Sequence, residues 1–321
     1  VSDRLKVLAP VRSLYMLDLQ LEAGADEVYV SLADDRLRNL THHSRPATAG
    51  GFATQVGREK DFRTIVARAH EHGVPVGLMA NGYFVPPQIE QGYIAMVRTA
   101  VDAGVDYVAV GNLATIHLLR EAGIDTPIAI GTVGTVVNRA MLRWLRDAGV
   151  FRVVLPPGLR LDEIKACAGV SGIQVITYAT TGQGNVCGHC RMWECPVPGA
   201  EVGLGCRAGY RLKMPDGSTL DRVTVLDGAT DCSLCSLAEL QACGVYGIKV
   251  GGRESPNPVV NAKVVSLFAR GVNHAAGAGL MPDLLAELDR EEIVWGMMWK
   301  PRFCEPLRCS FIETPTTRYY V

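Results

Sequence analysis

The 321-residue sequence has no apolar run near the roughly 18 residues needed to span a bilayer. Its opening, Val1-Ser2-Asp3-Arg4, has neither the apolar core nor the cleavage site of a secretory signal. Excess charge is missing too: 32 Lys and Arg stand against 33 Asp and Glu, a formal net charge of −1. Such balance argues against a chain that grips nucleic acid by bulk electrostatics and leaves only a local basic patch for that role. The expectation is a soluble cytoplasmic protein with no membrane partner and a small-molecule substrate. Hydrolytic signatures are absent, with no Gly-x-Ser-x-Gly elbow and no His-Glu-x-x-His helix. No Gly-rich phosphate fingerprint follows the first apolar run, which lowers a doubly wound open sheet.

What is present suits a large buried core: 48% of residues are hydrophobic and 20% charged. Eight short runs rich in Val and Ile read as strands buried on both faces, at Lys6–Ala9, Glu27–Leu32, Val76–Ala80, Tyr107–Val110, Ile128–Gly131, Arg152–Leu155, Ile173–Tyr178 and Gly247–Val250. Amphipathic stretches lie between them. Leu14, Leu17 and Leu21 follow Ser13, a natural N-cap, at helical spacing. Gly24, Gly73, Gly104, Gly123, Gly149, Gly172 and Gly244 each precede a strand, where a left-handed helix C-cap is expected. The pattern predicts the α/β class, a (β/α)8 TIM-like barrel over residues 1–280, of a type that typically needs about 250 residues. A C-terminal helix and an irregular aromatic tail should occupy 281–321.

Two connections are long, Gly24 to Gly73 and Gly172 to Gly244. Both extra segments follow a strand and so belong to the C-terminal face, where barrel enzymes assemble active sites. The larger, residues 181–231 after the seventh strand, includes an expected β-hairpin of Tyr210–Lys213 and Val223–Leu226. Six of the ten cysteines lie there or just beyond: Cys187, Cys190, Cys195, Cys206, Cys232 and Cys235. Clustered thiols in a chain of otherwise cytosolic character point to metal ahead of disulfides. One reading is a 4Fe–4S cluster on four of the six. Another is a structural zinc site from the two x2-spaced pairs, Cys187/Cys190 and Cys232/Cys235. Unmetallated thiols are the third. The C-x3-C-x2-C triplet of radical S-adenosylmethionine enzymes is absent. His189, between two candidate ligands, is placed to donate to cluster sulfurs. Polar residues after the strands, Asn81, Asn112, Thr132 and Arg253, are candidates to orient substrate, each with a local turn, cap or ion-pair role as its alternative. His42 and His43 face the expected mouth, with His42 the candidate acid–base group.

From about Leu5 to Val260 the chain resembles the collagenase-like peptidase family U32, which includes the iron–sulfur proteins of oxygen-independent ubiquinone hydroxylation and the hydroxylases of tRNA and ribosomal RNA. The resemblance is carried by Leu8-Ala9-Pro10, Ala23-Gly24-Ala25-Asp26-Glu27-Val28-Tyr29, Asp34-Asp35, Arg38 and Asn81. It continues through Asn138, Arg152-Val153-Val154-Leu155-Pro156, Ile248-Lys249-Val250-Gly251-Gly252-Arg253 and Ser255-Pro256. It implies a barrel with a 4Fe–4S cluster in the insertion after the seventh strand. By family position Cys190, Cys206 and Cys232 rank as ligands with Cys187, ahead of Cys195 and Cys235. The family's first cysteine stands farther upstream than Cys187 does. Gly251 replaces the acid of the family's Ile-Glu-Gly-Arg, the Gly131–Val137 stretch lacks a common glutamine, and Pro157 replaces an arginine. The implied activity is oxygen-independent hydroxylation. The rivals are a peptidase and a non-catalytic iron–sulfur subunit paired with a homologous chain, to which the tail (Val294, Trp295, Met297, Met298, Trp299, Phe303) would offer a packing surface.

Overall fold

The computed structural model describes residues 4–34, 37, 48–49, 52–82, 85–180, 210–223, 231–253, 255–277, 279, 281–306 and 308–311. In chain order the strands are β1 (Lys6–Pro10), β2 (Glu27–Val30), the short pair β3 (Thr48–Ala49) and β4 (Phe52–Ala53), β5 (Val76–Ala80), β6 (Tyr107–Val110), β7 (Ile128–Ile130), β8 (Val150–Val154), β9 (Gln174–Tyr178), the hairpin β10 (Tyr210–Lys213) and β11 (Thr219–Val223), and β12 (Gly247–Lys249). Eight of them close a parallel barrel in the order β1-β12-β9-β8-β7-β6-β5-β2. Helices follow each barrel strand in turn: α1 (Leu14–Glu22), α2 (Glu59–Glu71), α3 (Pro87–Asp102), α4 (Leu113–Glu121), α5 (Arg139–Asp147), α6 (Leu161–Ala168), α7 (Leu237–Ala242) and α8 (Pro258–Ala276). The expected (β/α)8 barrel is therefore the fold.

The punctuation read from the sequence has its physical counterpart. All seven helix-ending glycines adopt φ between +68° and +95°, the left-handed region in which a Cβ is unfavourable. Ser13 caps α1 by accepting the Met16 N–H at 3.2 Å. Strand ends differ from expectation by one or two residues. The hairpin's second strand starts at Thr219, ahead of the expected Val223. The reason is a tight turn at Asp216-Gly217: Gly217 has φ +86° and Asp216 Oδ1 accepts the Ser218 N–H at 2.8 Å. The β3/β4 pair was not foreseen.

Strand periodicity sorts the core into two layers. Val28, Val30, Leu78, Val108, Val110 and Val153 face the helices, whereas Leu8, Tyr29, Met79, Tyr107, Ala109, Val154, Ile176 and Tyr178 fill the barrel. Beneath this filling, near the strand N-termini, Arg152 of β8 and Glu27 of β2 form a bidentate pair at 2.5 and 2.9 Å. These strands stand opposite each other in the ring, so the pair crosses the barrel. Arg152 Nε also donates to Gln174 Oε1 at 2.9 Å, and the Tyr246 hydroxyl donates to Glu27 at 2.9 Å. The guanidinium lies 4.8 Å from the ring centres of Tyr107 and Tyr246. Gly77 makes room for this layer, since a Cβ there would sit 2.1 Å from Tyr107 Cζ.

After α8 come α9 (Met281–Glu291) and a π-helical segment, Trp295–Cys304. This corrects the expectation of an irregular tail. The wider π turn brings residues four apart onto one face, so Trp295, Trp299 and Phe303 are all buried. Trp299 packs on Phe268 of α8 with ring centres 5.8 Å apart, and on Phe303 at 4.5 Å. The tail covers its own barrel.

Replacing Glu27 by Ala strands a buried guanidinium and should cost about 3–5 kcal/mol in denaturant unfolding. A double Met replacement of Glu27 and Arg152 should recover most of that loss. A loss in E27A no larger than that of an exposed-site control would show that the pair is not structural. Gly77→Ala must displace Tyr107 and should cost about 1–3 kcal/mol, read as a lowered thermal midpoint. An unchanged midpoint would refute the close fit.

Candidate functional site

The mouth is built from residues at or just beyond the strand C-termini. Lys249, the last residue of β12, is 6% exposed. Its Nζ lies 4.3 Å from the Tyr29 ring centre and 3.6 Å from Met79 Sδ. The Tyr29 hydroxyl is held by donating to the Val250 carbonyl at 2.6 Å. Arg253 follows β12 and is buried; it donates through Nη1 to Ser31 Oγ, and Ser31 in turn donates to the Met79 carbonyl at 2.9 Å. Its guanidinium carbon is 5.7 Å from the same Tyr29 ring. Two cationic side chains thus lie against one tyrosine ring.

Asn81, directly after β5, is buried, and its Oδ1 has no hydrogen-bond partner among the described residues. Such an orphaned acceptor is costly unless something donates to it. Glycines make its space: a Cβ on Gly131 would lie 3.0 Å from Asn81 Nδ2, and one on Gly111 would lie 2.8 Å from the Asn81 carbonyl oxygen. Arg253 and Asn81 are therefore where a barrel enzyme's polar groups belong. Two other candidates are engaged locally. Asn112 caps α4 by accepting the Ala114 N–H at 2.8 Å, and Thr132 donates to the Leu155 carbonyl at 3.2 Å. Sequence reading missed Lys249, Tyr29 and Ser31 as mouth residues. Their period-2 placement on β2 and β12 carried the signal.

Beside the mouth stands a wall of thiols. Cys232 bridges Thr180 on one side and Cys309 on the other. Its N–H donates to the Arg308 carbonyl at 3.0 Å, and its carbonyl accepts from the Ser310 N–H at 2.9 Å. Its sulfur accepts two N–H groups, from Leu234 at 3.4 Å and from Trp299 Nε1 at 3.3 Å. Burial pushes the Cys232 thiol up to about 12, although both N–H donors favour the thiolate. Burial likewise raises Cys235 to about 11 and Cys304 to about 12, and it raises Cys309. The thiols also feel one another's charge: Cys232 that of Cys304 and Cys235, Cys235 that of Cys309, and Cys304 that of Cys235 and Cys309.

Of the ranked ligands, the described residues thus include Cys232 and Cys235. Cys187, Cys190, Cys195 and Cys206, with His42 and His189, lie outside the described residues. Cys304 and Cys309 were not anticipated, though their x4 spacing after an aromatic run was available in the sequence. Among the described residues no group of three or more His, Cys, Asp or Glu side chains is placed to hold a metal ion. None of the described helices is long and apolar enough to cross a membrane.

A ribulose-1,5-bisphosphate carboxylase/oxygenase from Pyrococcus horikoshii OT3 matches with a TM-score of 0.50 at 12% identity, over 89% of this chain and 63% of the other. The U32 peptidase Mk0906 matches with a TM-score of 0.44 at 17% identity, over 59% and 74%. At 12% identity the first likeness speaks for the fold alone. The family model for Peptidase family U32 matches residues 12–291. The chain belongs to peptidase family U32.

Proposed function

We propose that this U32 chain is an iron–sulfur enzyme of the oxygen-independent hydroxylase type, acting on a small molecule at the barrel mouth. The observation that carries the reading is the sulfur of Cys232, buried next to the mouth and met by two N–H donors. Amide and indole donors at a sulfur match what thiolate ligands of clusters receive, which supports the reading. Cys232 and Cys235 would hold it together with further cysteines, of which the resemblance favours Cys187, Cys190 and Cys206, then Cys195. When bound, the cluster supplies electron transfer and a Lewis-acidic iron. The chain's own groups do the positioning. The orphaned Asn81 Oδ1 accepts a substrate N–H or O–H, and the cations of Arg253 and Lys249 favour a substrate with a carbonyl or anionic oxygen. In this reading His42 moves the proton and His189 donates to the sulfurs.

A second reading is a non-catalytic iron–sulfur subunit bound to a homologous chain. It is favoured by the exposure of Ile293, Met297 and Met298 on the tail, at 73%, 77% and 49%. Hydroxylation by the isolated chain would remove it. Peptide hydrolysis has only the family name behind it.

Protein purified without oxygen should contain iron and acid-labile sulfide in equal amounts and absorb in the visible blue. Zinc without sulfide would overturn the redox reading. In an anaerobic assay with candidate hydroxyl donors, Asn81→Ala and Arg253→Met should each lower kcat/KM by about 10- to 100-fold, the worth of one buried or charged hydrogen bond. Iron and sulfide should stay at the wild-type level. Full activity in both variants would show that the mouth is not the site.

A further inference from the structure

We propose that Asn261 of α8, backed by Gln20 of α1, is the positioning residue for Arg253: it fixes the turn after β12 so that the guanidinium is delivered into the barrel mouth. The inference rests on the reading that Arg253 meets substrate. It adds to that site two side chains that lie behind it, between helices.

Four successive carbonyls follow β12, and each is held by a different element. The Val250 carbonyl accepts the Tyr29 hydroxyl of β2 at 2.6 Å. The Gly251 carbonyl accepts Asn261 Nδ2 of α8 at 2.9 Å. The Gly252 carbonyl accepts the Ser255 N–H of the turn itself at 2.9 Å, and the Arg253 carbonyl accepts Arg12 Nη1, from the segment after β1, at 2.8 Å. The middle of this run needs glycine. Gly252 has φ +120°, and a Cβ there would lie 2.3 Å from Asn261 Nδ2. The Asn261 amide is thus packed against the same turn that it bonds. With the backbone pinned along its length, the Arg253 side chain turns inward, where it is buried and donates to Ser31 Oγ.

The two amides do not make the most stable filling for their place. Gln20 and Asn261 are both buried, and Gln20 Nε2 donates to Asn261 Oδ1 at 2.6 Å and to the Pro10 carbonyl at 3.3 Å. Gln20 Oε1 has no hydrogen-bond partner among the described residues. A buried acceptor without a donor lowers stability, and apolar side chains of similar size would fill the space without that loss. What the amides supply is direction. Gln20 holds the oxygen of the Asn261 amide and thereby turns its NH2 group toward Gly251.

The first test is chemical and needs no substrate. The full chain, kept without oxygen, is treated with phenylglyoxal, which modifies arginine, and mass spectrometry follows Arg253 and Arg152, both buried, in the same digest. Asn261→Asp keeps the oxygen that Gln20 bonds and removes the donor to Gly251. It should speed modification of Arg253 by about 10-fold, the effect of one lost hydrogen bond on a local opening, and leave Arg152 unchanged. Equal acceleration at both arginines would mean general loosening and overturn the proposal, as would acceleration at neither. Should Asn261→Asp fail to fold, Gln20→Leu combined with Asn261→Leu removes both amides and strands neither. That protein should keep a thermal midpoint close to wild type and still expose Arg253; unchanged protection of Arg253 in it would overturn the proposal. In the anaerobic assay Asn261→Asp should lower kcat/KM by about 10-fold, and combined with Arg253→Met it should lower it no further than Arg253→Met alone. Additive losses would show that Asn261 does not act through Arg253, and would leave the reading of the mouth intact. Full activity in Arg253→Met would overturn that reading, and with it any role of the turn in binding.

Discussion

A charged pair crossing the inside of the barrel sets the terms for everything above it. Arg152 and Glu27 come from opposite strands, so neither can move without pulling on the far wall. Two ions buried this deeply are tolerable only when fully hydrogen-bonded, and Gln174, Tyr246 and the flanking aromatic rings complete that environment. The pair plugs the N-terminal end. The strands deliver Lys249, Arg253 and Asn81 to the other end.

Floor and mouth differ in how completely their polar groups are matched. At the floor each nitrogen of Arg152 finds an acceptor, a sign of a structural element. At the mouth Asn81 keeps an acceptor without a partner among the described residues. Native proteins tolerate such mismatch where a ligand completes it. The contrast supports placing substrate at the C-terminal face independently of any likeness to other proteins.

Much of the architecture was legible in the sequence because it depends on local rules. A glycine with positive φ ends a helix whatever surrounds it, and Val- or Ile-rich runs buried on both faces have few alternatives to a parallel strand. Leu14, Leu17 and Leu21 behind Ser13 needed no tertiary information. The thiol wall is another matter. Cys232 and Cys235 were visible as a pair in the sequence. What places Cys309 beside Cys232 is a single backbone bridge between distant segments, and spacing cannot announce that. The π-helical turn was missed for a related reason: its four-residue period reads as ordinary helix, and Pro301 reads as a stop. Asn112 shows the converse, since a strand-end asparagine that invited a functional role proved to be a cap.

The pairing of Cys232 with residues 308–310 also bears on how the molecule is made. A ribosome releases the eight strands before it has synthesised the segment that covers α8 and borders Cys232. During that interval the nascent barrel has an open seam, with the Cys232 sulfur uncovered and its indole donor not yet translated. Closing the seam, and with it the burial of Cys232, is therefore a late event in the making of the molecule.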